Sequence, residues 1–221
     1  HGFKVFIMIR YIFFENGETP LDVEERWATA KADIAPYSDD IIGFYVDEPR
    51  LTGKKESAFH YACQTVHADY PDKKMMAVMA FPALIATKSS AEYFRYCTDL
   101  GYDLYTNWDT ESVTDNVARL RDEIAIYGQS IWLIPKAFYH SYSVPTYIEN
   151  SELPVGEDVL RWIKGSYIMA AADPRIVGIF AFVYDNDGYE IDLRHFMLPE
   201  SEYYNEEVRA VYEQIGKAVI K

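Results

Sequence analysis

Two adjacent carboxylates follow a segment that has the composition of a buried strand. Ile41–Val46 is almost wholly apolar, and the chain continues as Asp47-Glu48-Pro49-Arg50. Two close carboxylates repel each other as anions, so the pKa of one of them rises. A carboxyl group with a raised pKa can protonate a leaving oxygen near neutral pH. The pair therefore predicts acid–base chemistry, with Pro49 expected to bias Glu48 toward an extended backbone.

A structural role for the same residues is the alternative. Asp47 would then cap the following helix, and Glu48 would pair with Arg50. We favour the catalytic interpretation, because helix capping requires no pair of carboxylates at the end of an apolar strand.

The elements that must position this pair alternate along the chain. The pattern predicts six strands, at Lys4–Arg10, Ile41–Val46, Met75–Ala80, Asp103–Asn107, Ile131–Phe138 and Ile176–Tyr184. It predicts helices at Pro20–Ile34 with Thr19 as N-cap, Lys55–Tyr70, Ser90–Leu100, Ser112–Tyr127, Gly156–Ala172 and Asn205–Ile220. Near-continuous apolar strands separated by helices indicate a parallel sheet covered by helices.

Polar and aromatic residues gather just after the predicted strands. They include Arg10, Tyr11, Asp47, Glu48, Asn107, Trp108, Asp109, Lys136, Tyr139, Tyr184 and Asp185. In a (β/α)8 TIM-type barrel all strand ends of this kind share one face, where the active site lies. No glycine-rich phosphate loop follows any strand, which weakens the nucleotide-binding open sheets. The sequence favours a single α/β barrel domain over residues 1–221, with a six-stranded open sheet as the alternative.

The number of strands indicates that such a barrel is incomplete. A full barrel has eight strands and usually about 250 residues, whereas this chain has 221 residues and six predicted strands. Counting back from the last strand makes Ile41–Val46 the fourth strand of a barrel. We therefore expect the first two βα units to lie upstream of this sequence.

Gly43-Phe-Tyr-Val-Asp-Glu-Pro49 resembles the fourth-strand segment of glycoside hydrolases with a (β/α)8 barrel. In the clan typified by cellulases and β-galactosidases, that strand ends in Asn-Glu-Pro, and the Glu is the general acid/base. Asp47 replaces the Asn here. An Asp-Glu pair is instead similar to the substrate-assisted β-N-acetylhexosaminidases and β-N-acetylgalactosaminidases. The resemblance implies a glycosidase in which Glu48 is the acid/base and Asp47 orients a 2-acetamido group.

The predicted seventh strand departs from the two-Glu pattern of the cellulase clan. Retaining glycosidases need a second carboxylate about 5–5.5 Å from the first. That strand reads Ile131-Trp-Leu-Ile-Pro-Lys-Ala-Phe-Tyr-His140, without an acid at its end. Substrate assistance remains, as does a carboxylate from another strand end, Asp109 or Asp185. Capping or turn formation explains each of those two aspartates equally well.

Aromatic residues near the strand ends suit a carbohydrate site. Tyr and Trp rings pack on the apolar faces of pyranoses, and Tyr hydroxyls reach sugar hydroxyls. We expect Tyr11, Trp108, Tyr139 and Tyr184 to bind substrate, together with the polar residues Arg10, Asn107, Asp109, Lys136 and Asp185. Trp27, Trp132 and Trp162 lie inside helix or strand patterns and are expected in the core.

Two other functions compete with the glycosidase. Lys136 ends a strand, so a Schiff-base aldolase is one alternative. A non-catalytic carbohydrate-binding barrel is the other. The formal net charge of −14 disfavours binding to nucleic acid. No apolar run is long enough to cross a membrane, and the five histidines lack metal-ligand spacing. We expect no metal or organic cofactor, and secretion or the cell envelope as the location.

Overall fold

The protein is an α/β protein, seen here in a computed structural model that describes residues 5–80, 89–104, 110–135, 155–179, 198–201 and 205–219. The strands are β1 (Val5–Met8), β2 (Ile41–Asp47), β3 (Lys74–Ala80), β4 (Asp99–Leu104), β5 (Ser130–Pro135) and β6 (Ile176–Ile179). The helices are α1 (Arg10–Phe13), α2 (Val23–Ile34), α3 (Glu56–Asp69), α4 (Ser89–Phe94), α5 (Thr110–Arg119), α6 (Val155–Ala172) and α7 (Glu206–Val219). A 3₁₀ helix, Ala35–Asp40, leads into β2, and a π-helical turn, Leu120–Ile124, follows α5.

The strands form one six-stranded sheet in the sequential order β1-β2-β3-β4-β5-β6. β1 pairs with β2, and β2 with β3, in parallel. Because helices connect these strands, the α/β class predicted from the sequence is confirmed. Closure into an eight-stranded barrel, a single domain and the two upstream βα units stay predictions.

The chain packs as two compact units. The first comprises His1–Tyr102 with Asn116–Ile131, and the second comprises Asp103–Asp115 with Trp132–Lys221. The first unit contains β1, β2 and β3, and therefore the Asp-Glu pair.

The two faces of β2 differ in burial. Phe44 and Val46 are fully buried, and they alternate with Tyr45 and Asp47, which are only half-buried. Successive strand residues point to opposite faces of a sheet. Tyr45 and Asp47 therefore share the more accessible face, on which chemistry can take place.

An aromatic cluster fills the buried side of the first unit. The Trp27 ring centroid lies 5.2 Å from that of Phe13, 5.8 Å from Phe44 and 6.0 Å from Tyr70. The indole N–H of Trp27 donates to Asp69 Oδ2 at 2.7 Å, which satisfies its polar atom. Because these rings come from α1, α2, β2 and the end of α3, their burial holds β2 against its helices.

The second unit has its own tight contacts. Trp162 on α6 is buried, as predicted for a core residue. The ring of Trp132 lies against Gly178 so closely that a Cβ there would meet it at 2.3 Å. Lys164 of α6 forms an ion pair with Glu207 of α7, linking the two helices.

The boundaries of two predicted helices are wrong. α2 begins at Val23 after an Asp22 N-cap rather than at Pro20. The predicted helix Ser90–Leu100 ends at Phe94, and β4 begins at Asp99.

Contacts with β3 explain the early end of that helix. The Thr98 amide donates to the Met75 carbonyl at 2.9 Å, and the Met75 amide donates to Thr98 Oγ1 at 2.8 Å. Asp99, whose side chain is 1% exposed, pairs with Lys74 at 2.6 Å. Long-range pairing with the sheet therefore overrides the helical pattern of these residues.

The later parts of the three predicted strands at Asp103–Asn107, Ile131–Phe138 and Ile176–Tyr184 lie outside the described residues.

The helices of the described ranges are all too short or too polar to cross a bilayer. Within the same ranges, no three His, Cys, Asp or Glu side chains lie close enough together to bind a metal ion. Cys63 and Cys97 are buried free thiols.

Gly43 in the middle of β2 provides a test of the strand packing. A Cβ at this position would meet the carbonyl oxygen of Lys74 at 2.4 Å and the ring of Phe6 at 2.8 Å. We expect Gly43→Ala to lower the free energy of unfolding by about 3 kcal/mol, because backbone in a sheet cannot yield easily. Urea unfolding followed by circular dichroism measures this loss.

The control is Gly53→Ala. Nothing lies within 4 Å of a Cβ at Gly53, so that variant should show only the strain of its φ of +71°, about 1–2 kcal/mol. Equal losses in the two variants would contradict the tight packing at Gly43.

Candidate active site

The candidate site lies at the carboxyl end of β2, in the first unit. β2 continues through Asp47, and Glu48 follows with φ of +40°. This left-handed region is uncommon for any residue other than glycine and is energetically costly for one that carries a Cβ. The positive φ changes the chain direction at Glu48, so the alternation of the strand no longer separates the two carboxylates.

Hydrogen bonds on both sides hold Glu48 in this conformation. Its amide donates to the Val78 carbonyl at 3.0 Å, which extends the ladder between β2 and β3. Its carbonyl accepts from the Thr52 amide at 2.9 Å and from Thr52 Oγ1 at 2.7 Å. The expectation that Pro49 holds Glu48 extended is therefore wrong, because these three bonds determine the backbone instead.

Burial dominates the electrostatics of the pair. The pKa of Asp47 is raised because its carboxyl is half-buried and loses solvation, against the lowering effect of the Arg10 charge. The pKa of Glu48 is raised first by burial and then by the negative charge of Asp47, again opposed by Arg10. The predicted coupling between the two carboxylates therefore exists, but desolvation contributes more than their mutual repulsion.

The pairing of β1 with β2 brings the chain segment just before Arg10 beside β2. Met8 lies opposite Tyr45, and the Ile9 amide donates to the Tyr45 carbonyl at 3.0 Å. β1 ends at Met8 and Arg10 begins α1, so the predicted strand Lys4–Arg10 is too long at its end. From this position the Arg10 charge acts on the carboxyls of both Asp47 and Glu48. The predicted site residue Arg10 is thus brought to Asp47 and Glu48, although it precedes them by 37 and 38 positions in the sequence.

Tyr11 lies beside this group and is open to solvent. Its side chain is 76% exposed, and the Arg10 guanidinium carbon lies 5.9 Å from its ring centroid. An exposed ring of this kind, here in α1 rather than at a strand end, can stack on a sugar face.

The capping alternative for Asp47 and Glu48 is not what the structure shows. The N-cap of α3 is Lys55, without a side-chain capping bond. The Arg50 guanidinium donates to the Ser90 hydroxyl, and no ion pair joins Arg50 to Glu48 among the described residues. Asp47 and Glu48 therefore form neither the helix-capping bond nor the Arg50 ion pair that the structural alternative requires.

The remaining predicted site residues lie outside the described residues. They are Asn107, Trp108, Asp109, Lys136, Tyr139, Tyr184 and Asp185. Their roles in substrate binding, in supplying a second carboxylate and in a Schiff base stay predictions.

Sequence reasoning missed two further residues, Tyr45 in β2 and Lys54 in the turn that follows the carboxylates. Lys54 lies half-buried with its ammonium 5.8 Å from the Phe14 ring centroid. Tyr45 shares the face of Asp47, and burial together with the Asp47 charge raises its pKa. The one sequence signal for Lys54 is its position just after Gly53, in a turn that follows the carboxylates.

Comparison with known proteins gives a likeness in fold. No protein-family model matches this sequence, and no curated protein matches it. Among solved structures, a GH2 β-galacturonidase from Eisenbergiella tayi bound to galacturonate has a TM-score of 0.59 at 9% identity, covering 89% of this chain and 38% of that one. The β-glucuronidase of Ruminococcus gnavus has a TM-score of 0.57 at 11% identity, with coverage of 90% and 37%. A β-D-glucuronidase for Dictyoglomus thermophilum has a TM-score of 0.54 at 14% identity, with coverage of 80% and 32%.

The first of these structural neighbours is a GH2 β-galacturonidase and the other two are β-glucuronidases, and at such identities the likeness is one of fold. The chain spans less than two fifths of the length of each of the three. They are uronidases rather than β-N-acetylhexosaminidases, so they give the substrate-assisted resemblance no specific support. A glycosidase-like α/β fold agrees with the resemblance of the fourth-strand segment.

The strain at Glu48 generates a stability prediction. Glu48→Gly and Glu48→Ala both remove the carboxylate, but only glycine relieves the positive φ. We expect the glycine variant to be more stable than the alanine variant by about 1 kcal/mol. Urea unfolding of the two variants measures the difference.

Glu56 at the start of α3 is the matched control for that pair of variants. Its φ is not positive, so Glu56→Ala should be more stable than Glu56→Gly, the reverse order. The same order at both positions would argue against strain at Glu48.

The raised pKa values generate a prediction on pH. A carboxyl with a higher pKa in the folded than in the unfolded state binds more protons when folded, so stability falls as pH rises through that interval. The interval begins near the ordinary values of 3.8 for Asp47 and 4.5 for Glu48. Relative to wild type, Asp47→Asn and Glu48→Gln should therefore become more stable as the pH rises from about 3.5 to about 7. Unfolding in urea across this range measures the change.

Asp22 is the control of opposite sign. Its hydrogen bond to Arg26 lowers its pKa, and the two charged groups lie 2.8 Å apart. Its stabilising contribution is present above the unfolded value and lost as pH falls, so Asp22→Asn should be relatively less stable at pH 7 than at low pH. A common pH trend in all three variants would contradict the assignment.

Proposed function

We propose that the protein is a glycoside hydrolase that cleaves glycosidic bonds of an oligosaccharide or glycan, with Glu48 as general acid/base and Asp47 assisting. The observation that carries the proposal is the backbone strain at Glu48, whose half-buried carboxyl lies beside that of Asp47 at the end of a parallel strand. Strained residues with perturbed pKa values cluster at functional sites. The fold likeness to GH2 glycosidases supports the same reaction class.

Glu48 is suited to protonating the leaving oxygen. Cleavage of a glycosidic bond leaves an alkoxide, which is a poor leaving group unless a proton is delivered as the bond breaks. Burial and the Asp47 charge both favour the protonated form of Glu48. The group can then act as a general base when water attacks in a later step.

Asp47 is suited to stabilising positive charge. The transition state of glycoside hydrolysis resembles an oxocarbenium ion, and an anionic carboxylate beside it lowers the barrier. Arg10 opposes the effect of burial on the pKa of Asp47 and so favours its anionic form. Asp47 would therefore orient a substrate amide or stabilise the developing charge.

Substrate assistance is the favoured route for the covalent step. In that route, the carbonyl oxygen of a 2-acetamido group attacks the anomeric carbon, the glycosidic C–O bond breaks, and Glu48 gives its proton to the leaving oxygen. Water then opens the cyclic intermediate as Glu48 recovers a proton. Asp109 or Asp185 acting as a protein nucleophile is the other route to retention.

The proposed fold of the full site is a (β/α)8 barrel. The sequential strand order and the parallel pairing of β1, β2 and β3 support it. In such a barrel the ends of all strands converge on one face, which would bring the later aromatic residues to the Asp47–Glu48 pair.

The two carboxylates predict different losses of activity. Glu48→Gln should lower kcat/KM by about 10²–10⁴ for glycosides with poor leaving groups, and much less for activated aryl glycosides that need little protonation. Asp47→Asn should lower kcat/KM for both kinds, because stabilising the sugar does not depend on the leaving group. Full activity of Glu48→Gln on an unactivated glycan would overturn the assignment.

A panel of aryl glycosides and natural glycans tests the function itself. Turnover of a member by the wild type, lost as described in the variants, supports the glycosidase. Binding without turnover supports a carbohydrate-binding barrel, and borohydride trapping of a carbonyl substrate on Lys136 supports an aldolase. If only 2-acetamido sugars are cleaved and a thiazoline analogue inhibits, substrate assistance is the route.

A further inference from the structure

Two cationic side chains without an acidic ion-pair partner lie at the candidate site. Neither Arg10 nor Lys54 forms a salt bridge among the described residues. Within the same residues the Arg10 guanidinium makes no hydrogen bond, and the Lys54 ammonium makes one long bond, 3.4 Å to the Thr52 carbonyl. An Arg carries five N–H donors and a Lys three, so most of the donors of both groups are unused.

The adjacent residue, Lys55, shows that a lysine in this turn can have an acidic ion-pair partner. Lys55 is exposed and forms an ion pair with Glu18. Lys54 is half-buried, and its pKa is lowered first by burial and then by repulsion from Arg10. No carboxylate offsets either effect, so the charge of Lys54 lacks local compensation in the described part of the chain.

The backbone of Lys54 is held in place from three directions. Its amide donates to the Pro49 carbonyl at 2.8 Å, and its carbonyl accepts from the Tyr93 hydroxyl at 2.8 Å. The next amide, that of Lys55, donates to the Gly17 carbonyl at 2.8 Å. A turn fixed by these hydrogen bonds positions the backbone of its cation before any ligand binds, which reduces the entropy lost on binding.

Arg10 and Lys54 are connected through Phe14, whose amide donates to the Arg10 carbonyl at 3.1 Å and whose ring centroid lies 5.8 Å from the Lys54 ammonium. Its charge acts on Asp47 and Glu48 as an attraction and on Lys54 as a repulsion. The carboxylates are not among the causes that shift the pKa of Lys54. Arg10 and Lys54 are thus two repelling cations that both adjoin Phe14, and an anion bound by both would relieve their repulsion.

We infer that Arg10 and Lys54 bind an anionic substituent of the sugar, a carboxylate or a sulfate ester, beside Glu48. The inference rests on the proposed glycosidase function and names its substrate class, an acidic glycan. An Arg fork and a Lys ammonium together suit the oxygen atoms of either group. Arg10 and Lys54 then determine specificity, while Glu48 carries out the chemistry.

The test is direct binding, which does not require turnover. Titration calorimetry of the full chain with galacturonic acid, galactose 6-sulfate and galactose compares a carboxylate, a sulfate and a neutral sugar. We expect an acidic sugar to bind more tightly than galactose. Whichever of the two anions binds more tightly identifies the substituent. Equal affinity for all three sugars, or no binding of either anion, would overturn the inference.

Variants of Lys54 and Lys55 test which lysine is responsible for the preference for acidic sugars. Lys54→Met keeps an unbranched side chain of similar length and removes the charge, so it should weaken binding of the acidic sugar about 10-fold or more and leave galactose unchanged. Lys54→Arg keeps the charge and should retain the preference, and Lys55→Met should behave like wild type. Equal weakening toward acidic and neutral sugars in Lys54→Met would contradict the assignment, as would a matching loss in Lys55→Met.

The outcome separates this inference from the proposed function. Charge-dependent binding at Lys54 without turnover of any glycoside would support the anion site and reject the glycosidase. Glu48-dependent turnover of neutral glycosides, without preference for acidic ones, would support the glycosidase and reject the anion site. The thermal midpoint of each variant confirms folding, and Arg10→Gln provides a second variant expected to lose the same preference.

Discussion

The candidate site depends on the backbone of Glu48 being held between the sheet and a turn. Its amide continues the hydrogen-bond ladder to Val78, and its carbonyl receives two bonds from Thr52. A residue with a Cβ does not adopt a φ of +40° without such constraints, because the left-handed region costs about 1–2 kcal/mol. The rigid strand and the turn together maintain this strain, and they place the two carboxyl groups in one neighbourhood.

The electrostatics of the site follow from that placement. Removing two acids from water raises the pKa of each, and the Arg10 charge offsets part of the cost. Lys54 then adds a second cation that the acids do not compensate. An arrangement of opposed charges that are only partly balanced lowers the stability of the folded protein but leaves charge available for a substrate.

Aromatic packing supplies the rigidity on which this arrangement rests. Trp27 and its neighbours hold β2 on its buried side, while Phe59 stacks on Tyr93 at a centroid distance of 4.9 Å. The Tyr93 hydroxyl in turn holds the Lys54 carbonyl. Packing in the helix layer is thereby connected, through one hydrogen bond, to the turn that carries the Lys54 cation.

The sequence by itself determined the alternation of strands and helices, the extent of β2, the burial of Trp27 and the carboxylates at a strand end. These features are local, since apolar periodicity and residue type decide them over a few positions. Only the tertiary structure decided that Glu48 is left-handed, that Arg10 faces the acids, and that Lys54 and Lys55 differ in charge pairing. It also ended α4 at Phe94, where pairing of Thr98 with β3 replaces the helix. Each of these outcomes depends on contacts between residues distant in the chain, whose energies no local pattern contains.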